Sequence, residues 1–394
     1  MISDSSNTSA TNPLHVVTLT PFYPTNHDDV SGCFVYEPLP WLSKLGIEHT
    51  VLAVQPFYRG RFESASLAVP AQWIRYFALP GGFGLPTAGA FLFAHCVGKL
   101  RALHRARRID LIHAHGPLPC GHAAMLLRRE LGIPFVVTVH GLDAYSTVQV
   151  SARAGKWCRR ISQHTFMASR RVICISEHVR EQVLTGVGRN ARTSVVYNGV
   201  DSDMFAPTMQ PASDRSTILS VGNLIPIKGH DLLIRSVASL SKEFPSLMLE
   251  IMGSGMEQRG LERLSEQLGC ADRVHFRGRR SRAETAAAMQ RCSVFALPSR
   301  YEGLGCVYLE AMSAGKPVVG CRGQGIAEII QQGSNGFLVG PDNERELTLV
   351  LQMLIGDEQR RRNLGRAARE TILDGFTLAH QAERLARIYR DSIA

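Results

Sequence analysis

The sequence predicts an α/β protein in which two doubly wound, parallel-sheet domains face one another across a central cleft. Three observations carry that expectation. The chain has 394 residues, beyond the roughly 250–300 at which a single hydrophobic core usually stops growing, so two domains are expected. Short β-branched runs alternate with helical segments, the pattern of parallel sheets covered on both faces. The alternation breaks once, over DSDMFAPTMQPASDRS at 201–216, where two prolines and several turn formers intervene, and then it restarts.

Residues 1–13, MISDSSNTSATNP, carry an acid and no early basic cluster, and no apolar segment of signal-peptide form follows. They read as a disordered tail on a cytoplasmic protein. The first series of strands is HVVTLT (15–20), HTVLAV (49–54), IDLIHAH (109–115), PFVVTVH (134–140), RVICIS (171–176) and SVVYN (194–198). Within it, the apolar stretch at 81–100 is interrupted by Pro86 and His95 and is short for a bilayer span, so it is expected to be an amphipathic core helix. Its basic end, Lys99, Arg101, Arg105, Arg107 and Arg108, suits solvent or an anionic lipid surface. The second series is TILSVG (217–222), LMLEIMG (247–253), RVHFRG (273–278), VFALPS (294–299), PVVG (317–320) and GFLVG (336–340). A closing amphipathic segment spans 376–393. The expected domains are therefore 14–205 and 206–375, followed by a last helix over 376–394.

Nine cysteines are scattered along the chain with no C-x-x-C pair, which excludes zinc knuckles and argues against a secreted disulfide framework. The net charge of +10 is uneven: residues 1–205 hold 20 basic and 13 acidic side chains, the remainder 24 and 21. Such a field suits a phosphate-bearing substrate or peripheral contact with a phospholipid surface. Nucleic acid is not an expected partner, because the basic residues are not interleaved with aromatics and no nucleic-acid module is recognisable.

Open α/β sheets bind ligands at the carboxyl ends of their strands. No strand here is followed by G-x-G-x-x-G or by G-x-x-x-x-G-K-[ST], which removes the dehydrogenase and nucleoside triphosphatase readings. Instead, TILSVG leads into NLIPIKGHD, which sets Lys228 and Gly229 just before a helix, an arrangement suited to an anion. VFALPS leads into SRYEGLGCVYLEAMSAGKP, where Gly303 and Gly305 let backbone amides approach a ligand between Glu302 and Glu310. Carboxylates read vicinal hydroxyls and amides hold a diphosphate. Hydroxyls, diphosphate and hydroxyls in that order describe a nucleotide sugar, with Glu310 on the ribose and Glu302 on the transferred sugar. A lone acid near a helix start more often complements the helix dipole, and a lone strand-end histidine is more often a satisfied core residue.

The stretch Glu302 to Glu310 resembles the element of two glutamates separated by seven residues found in retaining glycosyltransferases. VGNLIPIKGHDLLIRS, YEGLGCVYLEAMSAGKPVVGCRGQGIAEII, FVVTVHGLD, YNGVD and the opening PFYPTNHDDVSGCFVYEPLPWL resemble, in order, segments of glycosyltransferase family 4, over about residues 15–390. The similarity is closest to enzymes of bacterial surface-polysaccharide and teichuronic-acid assembly. It implies a GT-B fold of two Rossmann-like domains, an acceptor domain followed by a donor domain, with the last helix crossing back to the first. It also implies a retaining, metal-independent hexosyltransferase that moves sugar from a nucleotide sugar to a saccharide, lipid-linked or small-molecule hydroxyl, with UDP the commonest carrier and no cofactor. Carried over, His140, Glu302 and Lys228 are catalytic. Gly32, Asn223, Gly253, Gly278, Gly303, Leu304, Gly305, Cys306 and Glu310 join Lys228 and Glu302 at the donor, and His115 and Asp143 lie on the acceptor side. The chain departs from the pattern at Asn223, where the family often has arginine; Arg279, Arg280 or Arg322 could supply the missing cation. A sugar-nucleotide epimerase or a non-catalytic binding subunit shares the architecture. A phosphorylase-type or hydrolytic enzyme fits less well, for want of a pyridoxal lysine or paired catalytic carboxylates.

Overall fold

The computed structural model describes residues 13–26, 30–59, 67–79, 84–144, 151–187, 190–208 and 216–394. Most of the expected tail, and 209–215 of the expected linker, lie outside them. The first sheet contains β1 (Leu14–Thr20), β2 (Ile47–Pro56), β3 (Ala71–Tyr76), β4 (Leu111–His115), β5 (Phe135–Val139), β6 (Arg171–Cys174) and β7 (Thr193–Val195). They are parallel in the order β3-β2-β1-β4-β5-β6-β7. The second contains β8 (Thr217–Val221), β9 (Met248–Met252), β10 (Val274–Gly278), β11 (Val294–Ala296), β12 (Val318–Cys321) and β13 (Gly336–Val339). Its order is β10-β9-β8-β11-β12-β13, again parallel. Each sheet reverses its winding beside its first strand, between β1 and β4 and between β8 and β11. These are the switch points where doubly wound sheets open a ligand crevice.

Apolar continuity explains the central strands: β4, β5 and β12 are buried at every position. β3 is different. AQWIRY alternates buried and accessible residues at the edge of its sheet, so it lacks the continuous apolar run of the fully buried β5. The helix His230–Leu240 buries Leu232, Leu233, Val237 and Leu240 and packs on the helix Glu344–Gly356.

The last helix, Leu378–Ile393, starts where Val200 accepts the Leu378 amide at 3.1 Å. It then packs on the helix Leu39–Lys44 and on β4 and β5 of the first domain. Ala382, Leu385 and Tyr389 supply its buried face, and the Tyr389 hydroxyl meets His113 Nδ1 at 2.7 Å. An apolar cluster also runs across the junction, taking in Ile175 from one side and Leu304 from the other.

Among the described residues no helix is long and apolar enough to cross a membrane. The helix Leu85–Ala106 covers the first sheet through Ala88, Leu92, Cys96 and Leu100. Much of its basic end is neutralised within the fold: Arg101 pairs with Glu130, Arg107 with Glu48, and Arg108 with Asp110 at 3.3 Å.

Candidate functional site

Two strand ends of the second sheet build one wall of the cleft. Beyond β8 the chain turns through Pro226–Lys228 into Gly229, which has φ +69° and caps the following helix. A Cβ there would lie 2.2 Å from the Pro298 carbonyl oxygen, so the Lys228 loop seats directly on the β11 loop because Gly229 has no side chain. Beyond β11, Gly305 at φ +85° starts the helix Cys306–Ser313.

The cavity between these loops measures about 270 Å³. Lys228, Asn223, Gly253, Glu302, Gly305, Cys306 and Glu310 all line it, joined by Val30 and Cys33 from the first domain. Lys228 Nζ lies 2.5 Å from Glu302 Oε2, with both side chains largely buried. The Glu302 amide donates to Gln324 Oε1 at 2.8 Å, and the Glu302 carbonyl accepts the Gly325 amide at 3.0 Å. Both contacts fix the loop that carries the carboxylate.

Glu310 is 3% exposed and its Oε1 accepts from Arg282 Nη1. Arg282 is 9% exposed and forks onto Glu37 of the first domain, Nε to Oε1 at 2.9 Å and Nη2 to Oε2 at 3.0 Å. Its guanidinium also lies 4.8 Å from the centre of the Phe205 ring. Burial opposes the Arg282 charge, but Glu310 and Glu37 outweigh it and hold its pKa above the ordinary arginine range. Burial raises Glu37 to about 7 against the pull of that guanidinium. Sequence reasoning missed both residues. One signal was available: Arg282 is the first residue of a helix, inside the capping box Ser281…Glu284, where a cation opposes the dipole.

Of the three arginines considered as replacements for a cation at Asn223, Arg279 and Arg280 line the cavity. Arg279 Nη2 reaches Ser31 Oγ at 3.4 Å across the cleft. Arg322 points elsewhere, bound to both Glu346 oxygens at 2.8 and 2.6 Å.

The remaining expected residues distribute differently. Gly32 and Asp143 line a larger cavity of about 750 Å³ in the first domain, with Phe22, Tyr23, Trp73 and Tyr76. Gly32 has φ +77°, and a Cβ would meet the Phe22 carbonyl carbon at 2.4 Å, so its backbone turns toward that loop while Val30 and Cys33 face the donor-side cavity. Gly303 serves the junction: its carbonyl accepts from Ser176 Oγ at 2.6 Å, and a Cβ would stand 2.7 Å from the His140 carbonyl oxygen. The Leu304 side chain is 1% exposed and packs in the shared core, leaving only its backbone to face a ligand. Gly278 contributes through its carbonyl, which accepts the Gly253 amide at 2.9 Å.

His140 and His115 form a separate group at the ends of β5 and β4. His115 Nδ1 and His140 Nε2 are 3.0 Å apart, so one of the two nitrogens carries the shared proton. The rings lie 13° from parallel with centroids 5.3 Å apart, and Phe34 packs on His140 at 4.7 Å. The His140 amide donates to Asp143 Oδ1 at 2.9 Å. Burial pushes His140 and His113 down to about 3 and His115 well below its usual value, while it pushes Asp143 up to about 7. These histidines are neutral near pH 7 and act through hydrogen bonding and shape.

Residues 34–204 match the family model for Glycosyltransferase Family 4, and residues 206–371 the model for Glycosyl transferases group 1. An uncharacterized glycosyltransferase of Methanocaldococcus jannaschii is 31% identical over 277 residues, 70% of this chain and 74% of the relative. A GDP-mannose-dependent alpha-(1-6)-phosphatidylinositol monomannoside mannosyltransferase of Mycolicibacterium smegmatis is 28% identical over 306 residues, 74% and 78% of the two chains. In fold, the chain resembles sucrose-phosphate synthase of Thermosynechococcus elongatus, with a TM-score of 0.79, 22% identity and coverage of 96% and 98%. It also resembles Anabaena HepE in complex with UDP, with a TM-score of 0.74, 20% identity and coverage of 96% and 100%. The two sheets are the two halves of a GT-B fold, and the chain belongs to the family 4, group 1 glycosyltransferases.

Proposed function

We propose that the protein transfers a hexose-type sugar from a nucleoside diphosphate sugar to a hydroxyl acceptor with retention at the anomeric carbon. The observation that carries this reading is the single cavity of about 270 Å³ holding Lys228, Glu302 and Glu310 on both sides of a glycine-capped helix start. In this reading Glu310 takes the ribose, the Lys228 ammonium and the helix amides take the diphosphate, and Glu302 takes the sugar. Lys228 and Arg279 offset charge as the diphosphate leaves, which supports transfer without a divalent metal. The attacking hydroxyl approaches on the sugar's leaving-group face, and a diphosphate oxygen takes its proton. The protein then acts chiefly by orientation and electrostatics.

The acceptor is assigned to the cavity of about 750 Å³, which opens beside Asp143; a saccharide, a lipid-linked sugar and a small polyol are the classes to screen. Phe57, Tyr58, Phe77, Leu79 and Phe91 are exposed large apolar residues of the first domain. They support peripheral contact with the inner face of a membrane better than the largely paired arginines do. UDP is the favoured carrier, and the mannosyltransferase relative named for GDP-mannose makes GDP the alternative to test beside it.

Thermal shift with UDP, GDP, ADP and their sugars, with and without EDTA, tests this on the wild type and on Glu310→Gln. Ligand at about 100 times its dissociation constant adds roughly 2.7 kcal/mol. A shift with one diphosphate, insensitive to EDTA and about halved in Glu310→Gln, is expected; no shift with any nucleotide overturns the donor site.

A further inference from the structure

Arg282 stands between the two domains with all of its directed contacts on carboxylates. One nitrogen holds Oε1 of Glu310, and the other two grip Glu37 at 2.9 and 3.0 Å. Glu37 follows the short helix Cys33–Tyr36, whose Cys33 also lines the donor-side cavity. The arginine therefore touches the candidate ribose reader and the opposite domain through one planar group. A guanidinium is rigid, so its fork cannot be aligned on Glu37 and its third nitrogen on Glu310 unless the domains stand at this separation. The Phe205 ring, beside the chain's crossing from one domain to the other, supports the flat face of the guanidinium.

We infer that Arg282 is a positioning residue that couples the orientation of the Glu310 carboxylate to closure of the two domains through Glu37. The inference rests on the reading of Glu310 as the ribose contact. With one carboxylate oxygen held by Arg282, the other is left to accept from the vicinal hydroxyls, so the closed domains present a preorganised acceptor. Linkage makes the effect reciprocal: a nucleotide that favours this Glu310 orientation also favours the Arg282–Glu37 contact.

The experiment compares wild type, Arg282→Ala, Arg282→Lys and Glu37→Gln. Each is titrated with UDP and GDP by calorimetry, and solution X-ray scattering gives the radius of gyration with and without nucleotide. Arg282→Ala is expected to weaken the nucleotide by about tenfold or more, since it leaves Glu310 buried without its partner, and to abolish nucleotide-dependent compaction. Glu37→Gln keeps Arg282 on Glu310, so its affinity stays within about threefold of wild type while compaction is lost. Arg282→Lys keeps a charge for Glu310 but has no fork for Glu37; it recovers affinity relative to Arg282→Ala and remains uncoupled. A purely structural arginine would lower stability in all three variants without separating affinity from compaction. Wild-type affinity in Arg282→Ala, or wild-type compaction in Glu37→Gln, overturns the inference. If wild type binds neither nucleotide, the donor-site reading fails first and the inference falls with it, an outcome visible before any variant is made.

Discussion

The ends of β4 and β5 and the ends of β8 and β11 lie at or beside the switch points of their two sheets, yet they carry opposite chemistry. In the first domain the strands deliver three neutral rings, His115 bonded to His140, and His113 bonded to Thr138 and Tyr389 and in ring contact with His115. In the second they deliver Lys228, Glu302 and Glu310, all of them ion-paired in the same cavity wall. The same topology thus sets a neutral, hydrogen-bonded row, His113 and His115 of it buried, beneath one side of the cleft and charge on the other. Charge belongs where a diphosphate leaves, and a neutral histidine row does not compete for it.

The division predicts where removing a single group does most damage. Lys228→Ala is expected to lower turnover on the order of 10²- to 10³-fold, as when one preorganised donor to a developing anion is lost. His115→Ala, which deletes a neutral neighbour of His140, should cost less. Steady-state kinetics with the donor named by thermal shift decides it; a loss below about threefold in Lys228→Ala would move the diphosphate elsewhere.

Acid should separate the domains next. His49, His113 and His140 are lowered to about 3 by burial and His115 well below its usual value, against about 6.5 when unfolded. The unfolded chain therefore binds more protons below about pH 6.5, and the stability these groups contribute is lost as pH falls toward 3. Asp143 and Glu37, raised to about 7 by burial, act in the opposite sense: their contribution is lost as pH rises from about 4 to 7. With His122, also lowered by burial, five histidines outweigh two carboxylates, so acidification to pH 5 destabilises the first domain, by about 1.4 kcal/mol per pH unit for each net proton. In the second domain His230, lowered by burial to about 4, is the corresponding group among the described residues. Hydrogen exchange at pH 7 and pH 5, corrected for intrinsic rates, should show protection falling more in β4 and β5 than in β8 and β11. Equal loss in both sheets would contradict the assignment of the buried histidines as neutral.

Within the charged wall, the two glutamates should divide their work. Glu310→Gln is expected to weaken the nucleotide about tenfold, because it disturbs the ribose contact and leaves Arg282 with Glu37 alone. Glu302→Gln should depress turnover by at least as much with little change in nucleotide affinity. Calorimetry beside kinetics resolves the order, and the reverse order refutes the placement of sugar and ribose.

How far the sequence led differs between the walls for a physical reason. Lys228, Glu302 and Glu310 were legible because glycines and a helix start mark phosphate-binding loops within a few residues of each other. Short β-branched and apolar runs likewise announced the strands except β3, whose alternating AQWIRY is what an edge strand with one buried face looks like. Arg282 and Glu37 were not legible, since their meaning is a contact between residues 245 positions apart that depends on how the domains face one another. Gly32, expected from the family pattern on the acceptor-side loop near the diphosphate, lines the larger cavity of the first domain, with φ +77°.

The smallest expected effect tests the neutral wall alone. Tyr389 reaches from the last helix to His113, whose other nitrogen bonds Thr138 Oγ1 at 2.6 Å. Tyr389→Phe removes one hydroxyl and leaves Nδ1 of a buried ring without its partner, at a cost of about 1–3 kcal/mol. Spread over a domain of this size, each kcal/mol corresponds to a fall of roughly 2–4 °C in melting temperature. The nucleotide-induced increment in melting temperature should be unchanged, because no atom of the charged wall is altered. Should Tyr389→Phe also weaken the nucleotide, the histidine row and the donor cavity would be one coupled unit, and the contrast between a neutral row and a charged wall would have to be abandoned.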